Sequence, residues 1–226
     1  MKLSIIVPVY NEEKSVLKIL KDISKTNFKL DKEVIVINDG SKDNSEKIVS
    51  RFVKRKKGLY LIDKDHEGKG SALILGIKIA RGDIIAIQDA DLEYNIKDLK
   101  ILVKAILNGE EVVYGSRFLR SKQKLSLFYF GNILLSFITS ILYFQKIKDM
   151  ETCYKVFRKN VIKSLDLKSK KFDIEPEITA KILKKGIRIK EIPVSYTPRF
   201  WNEGKKIKFR DGFAALWCLL KYRFVD

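Results

Sequence analysis

Cysteine and histidine are scarce in this chain of 226 residues, and acids are outnumbered by bases. Two cysteines, Cys153 and Cys218, are too few for a disulfide framework and read as reduced core residues of a cytosolic protein. The single histidine, His66, reads as a turn residue rather than a catalyst. Asp and Glu number 28 against 46 Lys and Arg, a formal net charge of +18. That imbalance points to a polyanionic partner: nucleic acid, an anionic membrane surface or a phosphorylated substrate. No internal repeat or low-complexity linker interrupts the chain, so it reads as one domain with at most an appendage. The apolar run in "MKLSIIVPVYNEE" is too short for a signal peptide, and acids follow it at once. A "GxGxxG" after the first strand is missing, which argues against a dinucleotide-dependent dehydrogenase.

Apolar residues, 46% of the chain, are what is abundant, and they are ordered. Short β-branched runs at 3–10, 32–39, 58–63, 83–90 and 110–116 alternate with helical patterns near 12–26, 42–56, 69–80 and 96–108. Near-continuous apolar strands suit a sheet covered on both faces, and βαβα alternation predicts an α/β, doubly wound, mainly parallel sheet. Ligands of such sheets bind beyond the C-terminal strand ends. The polar clusters "YNEE", "NDGS", "QDADLE" and "GSR" fall there. The second half is less regular, with a strand in "TCYKVFR", a helix near 175–185, a strand in "GIRIKEIPVSY" and a basic amphipathic C-terminal helix.

Read alone, "VPVYNEE" is a strand leading into a helix capped by Asn11, and "NDGSKDNS" is a turn with Ser41 or Asp43 opening the next helix. "HEGKGSA" has the two glycines and the lysine, Lys69, of a phosphate-binding turn, without the full P-loop pattern. The carboxylates Asp89, Asp91 and Glu93 are the sharpest signal. Crowded at one strand end, they repel unless a cation joins them. Oxygen-only donors without a nearby His or Cys suit Mg²⁺ or Mn²⁺, and the missing glycine rules out an EF-hand loop.

In order and spacing, "SIIVPVYNEE", "NDGSKDNS", "GKGSALILGIKIARGD", "QDADLEY", "YGSRF", "DMETCYKVFR", "FDIEPEITAKI" and "IKEIPVSYTPR" strongly resemble the family 2 glycosyltransferases, and among them the dolichyl-phosphate mannosyltransferase-like group. The resemblance spans nearly the whole chain. It implies the nucleotide-diphospho-sugar transferase (GT-A) fold, an inverting transfer from a GDP- or UDP-linked sugar, a divalent metal, and often a polyprenyl or dolichyl phosphate acceptor. By position, Pro8, Tyr10, Glu12, Ile37, Asp39, Asp89 and Ala90 would line the donor pocket. Asp91 and Glu93 would hold the metal, although Gln or Ser often stands near position 93 in related mannosyltransferases. Arg117, after strand five, and Arg199 and Lys205, after the last strand, could grip the acceptor phosphate or close over the diphosphate. Asp149 matches the place of the general base in relatives with hydroxyl acceptors. A phosphate acceptor arrives already ionised and needs none, so Asp149 is a base or an orienting group. Asp91, Arg117 and Asp149 are therefore the expected catalytic set.

"LSLFYFGNILLSFITSILYF" is charge-free over about 20 residues, long enough to span a bilayer. One crossing would separate Asp149 from Asp91, and Tyr129, Asn132, Ser136, Thr139, Ser140 and Tyr143 recur at helical spacing. An interfacial or partly buried helix over 125–144, inserted in a catalytic domain of residues 1–200, fits better. In the tail, 201–226, an apolar face (Phe209, Phe213, Leu216, Trp217, Leu220, Phe224) lies beside Lys205, Lys206, Lys208, Arg210, Lys221 and Arg223. That pattern fits peripheral attachment to anionic lipid at the cytoplasmic, inner face of a membrane. Two rivals stand: transfer to a hydroxyl of a glycan or glycolipid, and a basic nucleic-acid-binding protein. The second has no recognisable module, so no nucleic acid is expected.

Overall fold

The computed structural model describes residues 1–54, 56–119, 127–199 and 209–225. Lys205, Lys206 and Lys208, expected in the basic tail, lie outside the described residues. The first half alternates as expected: β1 (Lys2–Val9), α1 (Val16–Lys25), β2 (Asp31–Asp39), α2 (Ser45–Val53), β3 (Leu59–Lys64), α3 (Lys69–Ile79), β4 (Ile84–Ile87), α4 (Ile96–Leu107) and β5 (Val112–Ser116). After it come α5 (Leu127–Tyr143), β6 (Lys155–Arg158), α6 (Lys159–Lys163), α7 (Ile174–Lys184), β7 (Ile189–Pro193) and α8 (Phe209–Phe224). One seven-stranded sheet has the order β3-β2-β1-β4-β6-β5-β7. Every pairing in it is parallel except those of β6, which runs antiparallel between β4 and β5.

Both faces are covered, and the strand sequences say why. Along β2, Val34 and Val36 enter one core with α1, α2 and α4, while Ile35 and Ile37 enter the other with α3, α5, α6, α7 and α8. Alternate side chains go to opposite faces and both faces are dry, so apolar residues follow one another without a break. β1 lies between β2 and β4, where the strand order reverses. A crevice opens at such a point beyond the strand ends.

Helix α5 has its amphipathy reversed. Ser136, Thr139 and Tyr143 are buried, whereas Phe130, Leu134, Phe137 and Ile141 are exposed, Phe137 by 60%. Its polar face has partners inside the protein: Ser136 Oγ accepts from Met150 N (3.0 Å), Ser140 Oγ from Ile147 N (2.9 Å), and Tyr143 donates to the Leu219 carbonyl (2.8 Å). The last contact joins α5 to α8, which buries Cys218, Leu219 and Tyr222 and exposes Phe213 (77%), Trp217 (69%) and Phe224 (80%). Among the described residues no helix is long and apolar enough to cross a membrane.

The start of α3 is set by backbone packing. Gly68 has φ 118°, a conformation open to glycine, and a Cβ on Gly70 would press into the carbonyl backbone of residues 169–171. Ser71 N donates to the Lys170 carbonyl (3.0 Å), which ties the turn "HEGKGSA" to that loop. Gly70→Ala must displace the loop and should cost about 1–3 kcal/mol, the usual range for overpacking. Chemical denaturation monitored by circular dichroism reads this, and an unchanged midpoint would refute the packing role.

Candidate active site

A cavity of about 570 Å³ opens beyond the C-terminal ends of β1, β2 and β4. Pro8, Tyr10 and Glu12 reach it from β1, Asp39 from β2, Lys69 from α3, and Asp89, Ala90, Asp91 and Glu93 from β4. Arg199 and, at the start of α8, Arg210 complete the wall. Three expected residues sit elsewhere. Ile37 is fully buried in the core, and Arg117 and Asp149 pair with each other outside the cavity lining, Arg117 lying over the ring of the lining residue Tyr196.

The turns after β1 and β2 are laced together. Asn11, in the left-handed region at φ 51°, accepts from Lys42 N (2.8 Å) through its side chain. Glu12 N donates to Ser45 Oγ (2.8 Å) and Glu13 N to Asp43 Oδ2 (3.1 Å). Asn11 is therefore no helix cap; α1 begins at Val16, and residues 11–15 form the turn that presents Glu12. Asp39 is buried and accepts from Lys64 Nζ (2.8 Å), Glu67 N (3.1 Å) and Gly68 N (2.9 Å). Burial alone would raise its pKa; Lys64 and the two amides outweigh that and hold it below the ordinary value.

The chain itself supplies cations for the crowded carboxylates. Lys69 Nζ lies 3.0 Å from Asp89 and 3.1 Å from Glu175, and Glu175 in turn pairs with the fully buried Lys155. Those carboxylates keep the Lys69 proton against burial and raise its pKa well above the ordinary value. The Arg199 guanidinium spans Glu12 (3.0 and 3.2 Å) and Asp91 (3.1 Å). Glu93 accepts from Tyr196 Oη (3.1 Å) and Arg199 N (2.8 Å), so both its oxygens hold the 196–199 segment. Leu92 has φ 64°, strained for a bulky side chain, and that twist brings Asp91 and Glu93 to the same cavity. Asp91 remains under-compensated: burial, then Asp89 and Glu93, push its pKa up to about 7 despite Arg199.

Among the described residues no three carboxylate, histidine or cysteine side chains converge into a ready-made metal cage. The donor chemistry still fits a hard ion. Mg²⁺ and Mn²⁺ commonly take one or two carboxylates and complete their shell with water and substrate phosphate. Asp91 has the surplus negative charge for that role, with Asp89 beside it; Glu93 fits it less well.

Outside the cavity lining, Arg117 donates to Asp149 through its backbone N (2.7 Å), Nε (2.8 Å) and Nη2 (2.6 Å). Asp149 is fully buried, and Glu191 fixes its backbone by accepting from Asp149 N (2.9 Å). Lys205 lies outside the described residues. Several site-forming groups escape a sequence reading: Lys155 and Glu175 look like ordinary charges until the fold buries them. The signal was two acids flanking Pro176 at the start of a helical pattern. Glu151 is another, with Oε1 buried and without a hydrogen-bond partner. Burial, and the Glu175 and Asp149 carboxylates against the pull of Lys155 and Arg117, push its pKa up to about 7. Between the ordinary Glu value and about pH 7 the folded state keeps a proton that the unfolded chain has released, so this group's contribution to stability falls as pH rises through that window. Glu151→Gln should raise Tm by several degrees at pH 8, on the order of 2 kcal/mol, and change it little at pH 4.5. Equal shifts in melts at the two pH values would refute the assignment.

The fold and site have relatives. A dolichyl-phosphate β-glucosyltransferase of Trichomonas vaginalis is 30% identical over 226 residues, which cover 91% of this chain and 68% of that protein. A dolichol-phosphate mannosyltransferase of Pyrococcus furiosus is 27% identical, covering 91% of this chain and 59% of its own. Among solved structures, glucosyl-3-phosphoglycerate synthase from Mycobacterium tuberculosis, crystallised with Mn²⁺, uridine diphosphate and phosphoglyceric acid, superposes with a TM-score of 0.76 at 17% identity, covering 100% of this chain and 79% of that one. The fold is thus that of the GT-A glycosyltransferases. The profile of glycosyl transferase family 2 matches residues 4–166, and with it the chain belongs to that family and is a glycosyltransferase.

Proposed function

We propose that this glycosyltransferase moves a hexose, with inversion, from a nucleoside-diphosphate sugar to polyprenyl or dolichyl phosphate at the cytoplasmic surface of a membrane. The observation that carries the reading is an exposed apolar stripe that starts at the cavity. Arg210 and Asp211 border the cavity, and the exposed α8 residues Phe213, Trp217, Leu220 and Phe224 follow them along the helix, which a buried Tyr143–Leu219 hydrogen bond ties to α5 and its exposed Phe130, Leu134, Phe137 and Ile141. An acceptor with a long apolar tail and a phosphate head needs such a site, because its tail stays in lipid while its head reaches the cavity. The relatives in Trichomonas and Pyrococcus bear the names of dolichyl-phosphate enzymes for different sugars, which supports the acceptor and leaves the hexose open. Free Cys153 and Cys218 suit the reducing side of the membrane.

In the transfer, a phosphate oxygen of the acceptor attacks the anomeric carbon and the bond to the nucleoside diphosphate breaks. A dianionic phosphate brings no proton to remove, so a buried Asp149 tied to Arg117 serves better as a brace than as a base. A bound Mg²⁺ or Mn²⁺ at Asp91 and Asp89 would neutralise charge on the leaving diphosphate. Arg199, held between Glu12 and Asp91, is near enough to turn onto a phosphate, and Arg210 stands at the mouth to meet the acceptor head.

Incubating the protein with labelled UDP-glucose, GDP-mannose or UDP-N-acetylglucosamine and polyprenyl phosphate should move label into an organic-extractable product. Asp91→Asn or excess chelator should lower the rate at least ~10²-fold. Transfer to free polyprenol or a glycan hydroxyl, with none to the phosphate, would overturn the acceptor, and full activity in chelator would overturn the metal.

Attachment to the membrane is tested separately. Replacing both Phe213 and Trp217 with Ser should remove about 3 kcal/mol of apolar insertion, on the order of a hundredfold in partitioning to anionic vesicles. Nucleotide binding should stay unchanged, and binding of the unmodified protein should weaken as salt rises. Unaltered flotation of the double variant would refute insertion by α8.

A further inference from the structure

The transfer gives no task to the only histidine, yet His66 lines the cavity. Its ring lies on Tyr10 with centroids 3.9 Å apart and planes at 15°. Its Nδ1 is 2.7 Å from Asp39 Oδ2 and 3.1 Å from the Asp39 carbonyl oxygen. Both of those oxygens only accept, so Nδ1 carries the hydrogen and donates it. A flat heterocycle is thus stacked on a phenol ring while its ring N–H points at a buried carboxylate. A nucleobase with a ring N–H would make the same pair of contacts in the same place.

We infer that the His66 imidazole, stacked on Tyr10 and bonded to Asp39, occupies the slot a nucleobase with a ring N–H would take, and must leave it when the donor enters. This rests on the nucleoside-diphosphate reading above and adds to it which side chain the base displaces. The exchange is nearly even, stack for stack and N–H···O for N–H···O, which keeps Tyr10 covered and Asp39 satisfied in both states. Lys64 and the amides of Glu67 and Gly68 stay on Asp39 throughout. A Cβ on Gly40 would lie 2.8 Å from His66 N, so the turn backbone is closely seated and the motion belongs to the side chain, which is 48% exposed. Neutral cytosine and adenine meet Asp39 less well, because a ring-nitrogen lone pair sits beside their amino group and would face the carboxylate. The consequence is a donor affinity set below what the slot alone would give.

A single histidine makes the test direct, since its imidazole C–H signals are the only ones of their kind in the spectrum. Titrating the full chain with UDP or GDP in Mg²⁺ should move them downfield as the Tyr10 ring current is lost. By calorimetry His66→Ala should bind both nucleotides roughly three- to tenfold more tightly, the worth of one aromatic stack. His66→Asn, which keeps an N–H for Asp39 but no ring, should fall between, and melting curves establish that both variants are folded. An upfield shift, or weaker binding by folded His66→Ala, would mean that the ring stays and the base stacks on it; unchanged affinity would mean that the ring is not in the slot. Each overturns the inference. Failure of UDP and GDP to bind either form would instead bring down the donor reading, and this inference with it.

Discussion

A row of alternating charges, Asp89–Lys69–Glu175–Lys155, runs from the cavity into the core and joins the two halves of this molecule. Lys155 is fully buried, donates to the carbonyls of Met150 and Thr152, and lies over the Tyr114 ring. Removing any member strands a charge in a medium that solvates it poorly, which is why such rows are kept whole. The same helix start supplies Glu177, which accepts from Lys168 N (2.9 Å) and Ser169 N (2.7 Å) and so fixes the loop against which Gly70 packs. Helix α7 thus steadies Lys69 twice, through Glu175 and through the loop under Gly70.

Seen from this row, the carboxylates at the end of β4 are less anomalous than they look on paper. Lys69 answers Asp89, Arg199 answers Glu12 and Asp91, and the 196–199 segment answers Glu93. What is left uncompensated is concentrated on Asp91, where a divalent ion with a diphosphate has the most to offer.

How far this was legible in the sequence depends on the range of the forces involved. The parallel strands of the first half could be read because each βαβ unit is local and its apolar runs are long. The ligand edge could be read because polar residues at strand ends have few other reasons to be there. Asn11 misled, since a good cap residue in the left-handed region serves equally as a loop tie, and only the neighbouring turn decides between the two. Helix α5 was recognised as striped, but the stripe alone does not say which side faces in. Ser136 and Ser140 face inward because the 147–150 loop brings amides for them to bind. Lys155 and Glu175 stayed hidden for the opposite reason: a lysine in a four-residue strand looks like an edge charge until two other strands close over it.

Strand β6 carries a consequence for how the chain is made. It sits between β4 and β5 although it follows both in sequence, and it runs against them. During synthesis β1, β2, β3 and β4 can pair as soon as residue 87 is available, but the outer edge of β4 has no partner until residues 155–158 leave the ribosome. For that interval the nascent protein presents a short row of unpaired amides beside an apolar surface, the kind of edge that recruits other chains.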